Sequence, residues 1–148
     1  VESIHLRVLK NINNKWQDKS LIEKWEKIKK VRKIINIAIE IARNEKKIGS
    51  SLEADVLLQT DNKNILDIID NIDMQSICII SKFSKAKLND RIEENYISSF
   101  TSVDNEIKVS IYKTTYQKCL RCWQYKKEVE INKDCLCDRC TLVVRSKL

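Results

Sequence analysis

Two Cys-x-x-Cys pairs near one end constrain this chain more than any other feature. Cys119-Leu120-Arg121-Cys122 and Cys137-Asp138-Arg139-Cys140 are separated by 14 residues, one short of the range commonest in zinc ribbons. A Cys-x-x-Cys turn brings two thiolates to one ion, and two such turns complete the tetrahedral shell that zinc prefers. Four protein ligands leave no coordination position for water, so the spacing predicts a structural rather than a catalytic metal. The last 36 residues hold few large apolar side chains, and zinc would supply much of their folding free energy. Disulfides or redox chemistry fit a single pair better than two at this spacing, and the chain begins without a secretory signal. Cys135, two residues before Cys137, is an alternative ligand. The site is assigned to Cys119, Cys122, Cys137 and Cys140 because Cys137 completes the second pair, with Cys135 left as a free thiol.

At 148 residues and 43% hydrophobic composition the whole chain could form one ordinary domain or two small ones. No stretch approaches the length of a membrane span. The opening Val1-Glu2-Ser3-Ile4-His5 lacks an initiator Met, which suggests a piece of something longer. One Gly and no Pro leave Asn, Asp and Ser to punctuate the turns.

Charge is unevenly spread. Residues 1–20 carry +2, 21–48 carry +5, 49–112 carry −5 and 113–148 carry +5. The last block falls to +3 if four thiolates and one zinc ion are counted. Two basic blocks around an acidic middle fit two surfaces that face one polyanion. The abundance of Ile, Lys and Asn reflects skewed composition as well, so total charge alone carries little.

Residues 20–48 read as a long helix. Ser20 and Glu23 form a capping-box pattern, and Leu21, Trp25, Ile28, Val31, Ile35, Ala38 and Ala42 recur at spacings of three and four. Ile34, Ile37, Ile41 and Ile48 widen that stripe. The pairs Glu23–Lys27 and Glu26–Lys30 support it, and Gly49 is expected to take the left-handed C-terminal cap. The opposite face carries Lys29, Arg32, Lys33, Asn36, Glu40, Arg43 and Lys47. This is either a solvated face or a ridge that lies along phosphates.

Before the helix, Trp16 is expected to anchor residues 1–18, and His5 to have no ligand or catalytic role. After it, Leu52, Ala54, Val56 and Leu58 alternate with polar residues as a half-buried strand. Asp61 is expected to cap a short helix carrying Ile65, Leu66, Ile68, Ile69 and Ile72. Ile77-Cys78-Ile79-Ile80 reads as an inner strand, residues 84–95 as loop, and Ile107, Val109 and Ile111 as a further strand. Cys78 reads as a buried small apolar residue. The expected fold class is α+β, in three segments. A long helix ends a helical domain over 1–50, a small mixed α/β subdomain spans 51–113, and a four-cysteine zinc ribbon or knuckle spans 114–148. Around the knuckles lie Arg121, Trp123, Tyr125, Lys126, Lys127 and Arg139, residue types that pair with phosphate or stack on unpaired bases. For Trp123, packing over the metal is the first reading and base stacking the second.

Cys119-Leu120-Arg121-Cys122-Trp123-Gln124-Tyr125 with Leu136-Cys137-Asp138-Arg139-Cys140 resembles the C-terminal zinc motif of bacterial-type isoleucyl-tRNA synthetases. Val31-Arg32-Lys33, Glu40-Ile41-Ala42-Arg43 and Lys47-Ile48-Gly49-Ser50-Ser51-Leu52-Glu53-Ala54 look like the helix-to-strand segment that closes the anticodon-binding region in that family. The latter segment alone does not separate isoleucyl from valyl synthetases; the cysteine tail does. The resemblance covers roughly residues 20 to 145 and is weak between 60 and 105.

The resemblance implies a class I synthetase that activates isoleucine with ATP and charges its tRNA. This chain would be the non-catalytic part that grips the anticodon arm, with one structural zinc. Catalytic residues and the ATP site would lie elsewhere in the parent enzyme. The resemblance implies Arg32, Lys33, Arg43, Lys46 and Lys47 on the helix as tRNA-binding residues; the chemistry of the knuckle side chains adds Arg121, Trp123 and Arg139 on the tail. The implied partner is the tRNA for isoleucine, with no DNA and no membrane, in a cytoplasmic (or organellar) monomer. Lys82-Phe83-Ser84-Lys85 is similar to the lysine-rich ATP loop of class I synthetases, but its nucleotide-binding surroundings are absent from this sequence. A polar loop is the reading kept. Two alternatives stand beside the synthetase: the zinc finger region of a DNA-repair glycosylase, and a zinc-stabilised protein-interaction module.

Overall fold

The computed structural model of the chain describes residues 3–8, 11 and 13–146. Its dominant element is a 26-residue helix, α1 (Lys19–Asn44). The Asp18 carboxylate caps it, accepting from the Leu21 backbone N–H at 3.1 Å and from the Ser20 hydroxyl at 2.7 Å. Those bonds hold the Asp18 carboxyl below its ordinary pKa. The expected Ser20 cap is therefore displaced by two residues. An extended Asp18 places a full negative charge at the positive end of the helix dipole, and no Ser20–Glu23 capping box forms.

The other end also departs from expectation. Lys47 N–H donates to the Ala42 carbonyl at 3.0 Å and Lys46 N–H to the Arg43 carbonyl at 2.9 Å, the two bonds of a Schellman cap. Lys46 itself takes the left-handed conformation (φ 57°), whereas Gly49 does not. Gly49 instead sits against Glu53, where an added Cβ would lie 3.3 Å from Oε1.

Residues 54–113 build a four-stranded sheet from β1 (Ala54–Gln59), β2 (Lys82–Ala86), β3 (Ser98–Thr101) and β4 (Lys108–Lys113) in the order β2-β1-β4-β3. Only the β1–β2 pair is parallel. Ala54, Val56 and Leu58 of β1 and Val109 and Ile111 of β4 point to one face. There they meet Val31, Ile34, Ile35, Ala38, Ile39 and Ala42 of α1 in a single apolar cluster. Two short helices, α2 (Lys63–Asp70) and α3 (Met74–Cys78), add Ile69, Met74 and Cys78 to it. The Ser98 hydroxyl donates to the Ala38 carbonyl at 2.7 Å and ties β3 to the middle of α1.

Several local expectations are corrected. Leu21, Trp25 and Trp16 are exposed, the last at 78%, so the buried stripe of α1 begins only at Ile28 and Trp16 anchors nothing. Glu26 pairs with Lys29, while Lys30 pairs with Asp104. The cap of α2 is Asn62 rather than Asp61. Residues 77–80 are not an inner strand: Ile77 and Cys78 end α3, which Asp73 caps through Ser76, and Ile79 is left-handed (φ 55°). A short apolar run has no period to separate strand from helix, and the capping carboxylate decides. Lys82–Ala86, expected to be loop, is an edge strand whose lysines suit an unpaired sheet edge. Cys78 is buried as expected, and burial pushes its thiol up to about 11.

Candidate metal centre and basic surfaces

The first Cys-x-x-Cys lies between the two shortest strands, β5 (Gln117–Lys118) and β6 (Tyr125–Lys126), which pair antiparallel. Cys119 N–H donates to the Gln124 carbonyl and Trp123 N–H to the Cys119 carbonyl, both at 2.9 Å. The turn closes only because Trp123 adopts a positive φ of 65°. The second pair opens α4 (Asp138–Arg145), with Cys137 at its N-cap and Cys140 in its first turn. Between them, a 3-10 turn (Lys127–Glu130) buries Val129, and Asn132 Nδ2 donates to the Leu136 carbonyl at 2.9 Å and to Thr141 Oγ1 at 3.3 Å. Asn132 was not foreseen, since a polar residue in a loop gives no sequence signal of what it holds.

This framework brings the sulfurs of Cys119, Cys122, Cys137 and Cys140 within 4.8 Å of one another. Cys122 and Cys137 Sγ are 3.7 Å apart. A tetrahedron with zinc–sulfur bonds of about 2.3 Å has sulfur–sulfur edges of about 3.8 Å, so the four thiols fit one structural zinc ion. Cys135 stays outside the set: its backbone is left-handed (φ 52°) and its carbonyl accepts from Leu120 N–H at 3.1 Å. The module's own apolar cluster is Val129 and the cysteines, with Leu136 against them, too small to hold it without another source of stability.

The electrostatics of the cluster are mixed, lowering Cys119 and Cys140 and raising Cys137. Burial works against ionisation of Cys119, but backbone N–H donors from Cys122, Cys137 and Arg121 outweigh it and hold the thiol down to about 6. Cys140 is likewise lowered despite burial, with the Arg121 side chain beside it at 3.7 Å. Cys137 is pushed up to about 12 by burial. The Cys122 and Cys140 thiols raise the pKa of the exposed Arg139. The expected packing of Trp123 over the metal is not found: the ring is 62% exposed, with Lys118 Nζ 5.0 Å from its centroid.

The basic face of α1 carries a shallow groove of about 580 Å³ lined by Lys29, Arg32, Lys33, Asn36, Glu40 and neighbouring residues. Arg43 pairs with Glu40 and Lys47 with Glu45, each at 2.7 Å. Lys47 Nζ also donates to the Ile97 carbonyl at 2.6 Å. Arg32, Lys33 and Lys46 have no carboxylate partner among the described residues. Among the described residues no helix is long and apolar enough to cross a membrane.

Residues 117–143 match the family described as the zinc finger found in FPG and IleRS. Almost the whole chain is similar to isoleucine–tRNA ligases. Identity to the Zymomonas mobilis protein is 35% over 142 residues, covering 96% of this chain and 13% of the relative. For Caldanaerobacter subterraneus it is 33% over 149 residues, covering 99% and 16%. For Caldicellulosiruptor bescii it is 37% over 151 residues, covering 99% and 15%. The chain thus spans only about 13% to 16% of the length of these relatives. The resemblance to isoleucyl-tRNA synthetases read from the cysteine tail and the end of α1 is borne out, and it extends across residues 60–105, where the sequence motifs were weakest.

Proposed function

We infer that this chain, similar over almost its whole length to isoleucine–tRNA ligases, is the C-terminal tRNA-engaging segment of such an enzyme. The parent attaches isoleucine to its tRNA with ATP, and the residues for that chemistry lie outside this chain. The observation that carries the reading is the four-sulfur cluster on a basic module. The same chain joins that module to a helix with a cationic face. Cys119, Cys122, Cys137 and Cys140 hold one zinc, whose work is structural. Residues 1–50 end the helical anticodon-binding domain, 51–113 brace α1 through their shared core, and 114–148 present the zinc module to the same tRNA.

On α1 the phosphate contacts are Arg32, Lys33, Arg43 and Lys46, with Lys47 holding the end of the ridge in place; on the tail, Arg121 and Arg139 supply cations and Trp123 an exposed ring. The partner is the tRNA for isoleucine, bound by a cytoplasmic monomer without a role for DNA or membrane. The zinc finger type is shared with FPG by name, so a glycosylase reading fits residues 117–143; the rest of the chain favours the ligase. Metal analysis of the purified chain is the test. One equivalent of zinc, lost on Cys119→Ser or Cys140→Ser, supports the reading, and a metal-free folded tail contradicts it.

A further inference from the structure

Cys135-Leu136-Cys137 places two thiols where the metal needs one. In an extended chain, residues two apart point to the same side, yet only Cys137 joins the four-sulfur set. The backbone separates them. Cys135 is turned into the left-handed region (φ 52°), which a residue with a side chain keeps only where its surroundings over-determine it. Three hydrogen bonds pin it there. Cys135 N–H donates to the Asn132 carbonyl at 2.9 Å, and the Cys135 carbonyl accepts from Leu120 N–H at 3.1 Å. The next carbonyl, of Leu136, accepts from Asn132 Nδ2 at 2.9 Å. Asn132 thus makes two of the three. Building on the zinc reading above, we infer that Asn132 selects the zinc ligand: it holds Cys135 out of the cluster and so commits Cys137 to it, as a positioning residue that acts through the backbone.

The surroundings of Asn132 suit that work. Its own N–H donates to the Glu128 carbonyl at 3.2 Å, so it is carried on the end of the 3-10 turn that Val129 anchors in the module's apolar cluster. On its other side Nδ2 reaches Thr141 Oγ1 at 3.3 Å. Thr141 is buried and follows Cys140 in α4. One amide therefore ties together the 3-10 turn, the peptide before Cys137 and the helix that carries Cys140. Without a donor at this position the Leu136 carbonyl is free to rotate, and rotation of that peptide turns the thiols on either side of it. Aspartate keeps the shape of asparagine but offers no donor. Cys135 is partly buried and already packs against the cluster, so its thiol is at hand once the backbone is released.

The test combines thiol mapping with zinc content in the 148-residue protein. With zinc added, iodoacetamide should label Cys135 of the wild type and spare Cys119, Cys122, Cys137 and Cys140. In Asn132→Ala and Asn132→Asp the label should divide between Cys135 and Cys137. The second measurement does not depend on those variants keeping the native site. Cys137→Ser should lose its zinc, whereas the double variant Asn132→Ala with Cys137→Ser should regain it, because Cys135 then supplies the fourth sulfur. A merely structural role for Asn132 predicts the opposite, a double variant as poor in zinc as Cys137→Ser. That result would overturn the inference while leaving the zinc site standing. So would label confined to Cys135 in both Asn132 variants, or label spread evenly over every cysteine of the tail. A wild type that binds no zinc would overturn both readings.

Discussion

The backbone N–H of Cys137 donates to the sulfur of Cys119 at 3.3 Å. This bond links the first residue of one Cys-x-x-Cys pair to the first residue of the other, across the 17 intervening residues. It sets the register in which the remaining two sulfurs converge. With Asn132 holding Leu136 and Thr141, it orients the second knuckle so that Cys137 and not Cys135 faces the cluster.

Replacing Cys137 should therefore do more than remove one ligand. Cys137→Ser is expected to lose the zinc and disorder residues 114–146, while residues 19–113 stay folded on their own apolar cluster. Cys135→Ser should keep the metal in full. Zinc content and backbone NMR of both variants check this, and a full equivalent in Cys137→Ser would mean that Cys135 can take its place.

At the end of α1, Lys46 holds a left-handed backbone that costs a side-chain-bearing residue roughly 1 kcal/mol. Lys46→Gly should raise stability by about 0.5–1 kcal/mol in urea melts, because the Schellman bonds persist and the strain is relieved. A fall in stability would show that the Lys46 side chain contributes packing that outweighs its conformation.

The ridge divides into residues free to bind and residues already engaged. Arg32→Ala and Lys33→Ala should weaken tRNA binding with little change in stability, each lowering the salt slope of binding by about 1. Lys47→Ala should lower stability by about 1 kcal/mol, since it breaks the bond that fastens α1 to Ile97. Titrations at several salt concentrations, paired with thermal melts, separate the two behaviours.

Asp55 on β1 has a buried, unpartnered Oδ1, and burial raises its pKa despite the opposing Thr114 hydrogen bond and the Lys82 charge. A carboxyl that takes up its proton more readily when folded costs stability above its folded pKa, and that cost fades as pH falls through it. Asp55→Asn should stabilise the protein at neutral pH, and its advantage should shrink toward pH 4. Urea midpoints across that range provide the check.

The sequence was most legible where chemistry or a long period imposed the structure. The two Cys-x-x-Cys pairs needed only their spacing, and the stripe from Ile28 to Ala42 ran long enough for its period to be read. Val109 and Ile111 showed the alternation of a sheet with one buried face. The misses share a cause: backbone bonding decided them. Ile77–Ile80 belonged to a helix end because Asp73 could cap it. Lys82–Ala86 and Ser98–Thr101 are edge strands whose side chains carry little pattern. Gly49 looked like the cap by residue type, yet the Schellman bonds fell on Lys46.

The central claim is that this chain engages isoleucine tRNA and that the zinc module contributes. The most direct test is a titration of the chain with that tRNA, with and without a zinc chelator, using valine tRNA and duplex DNA as competitors. The account predicts preference for isoleucine tRNA, weakened by chelation. Equal competition by duplex DNA, or binding indifferent to chelation, would contradict it.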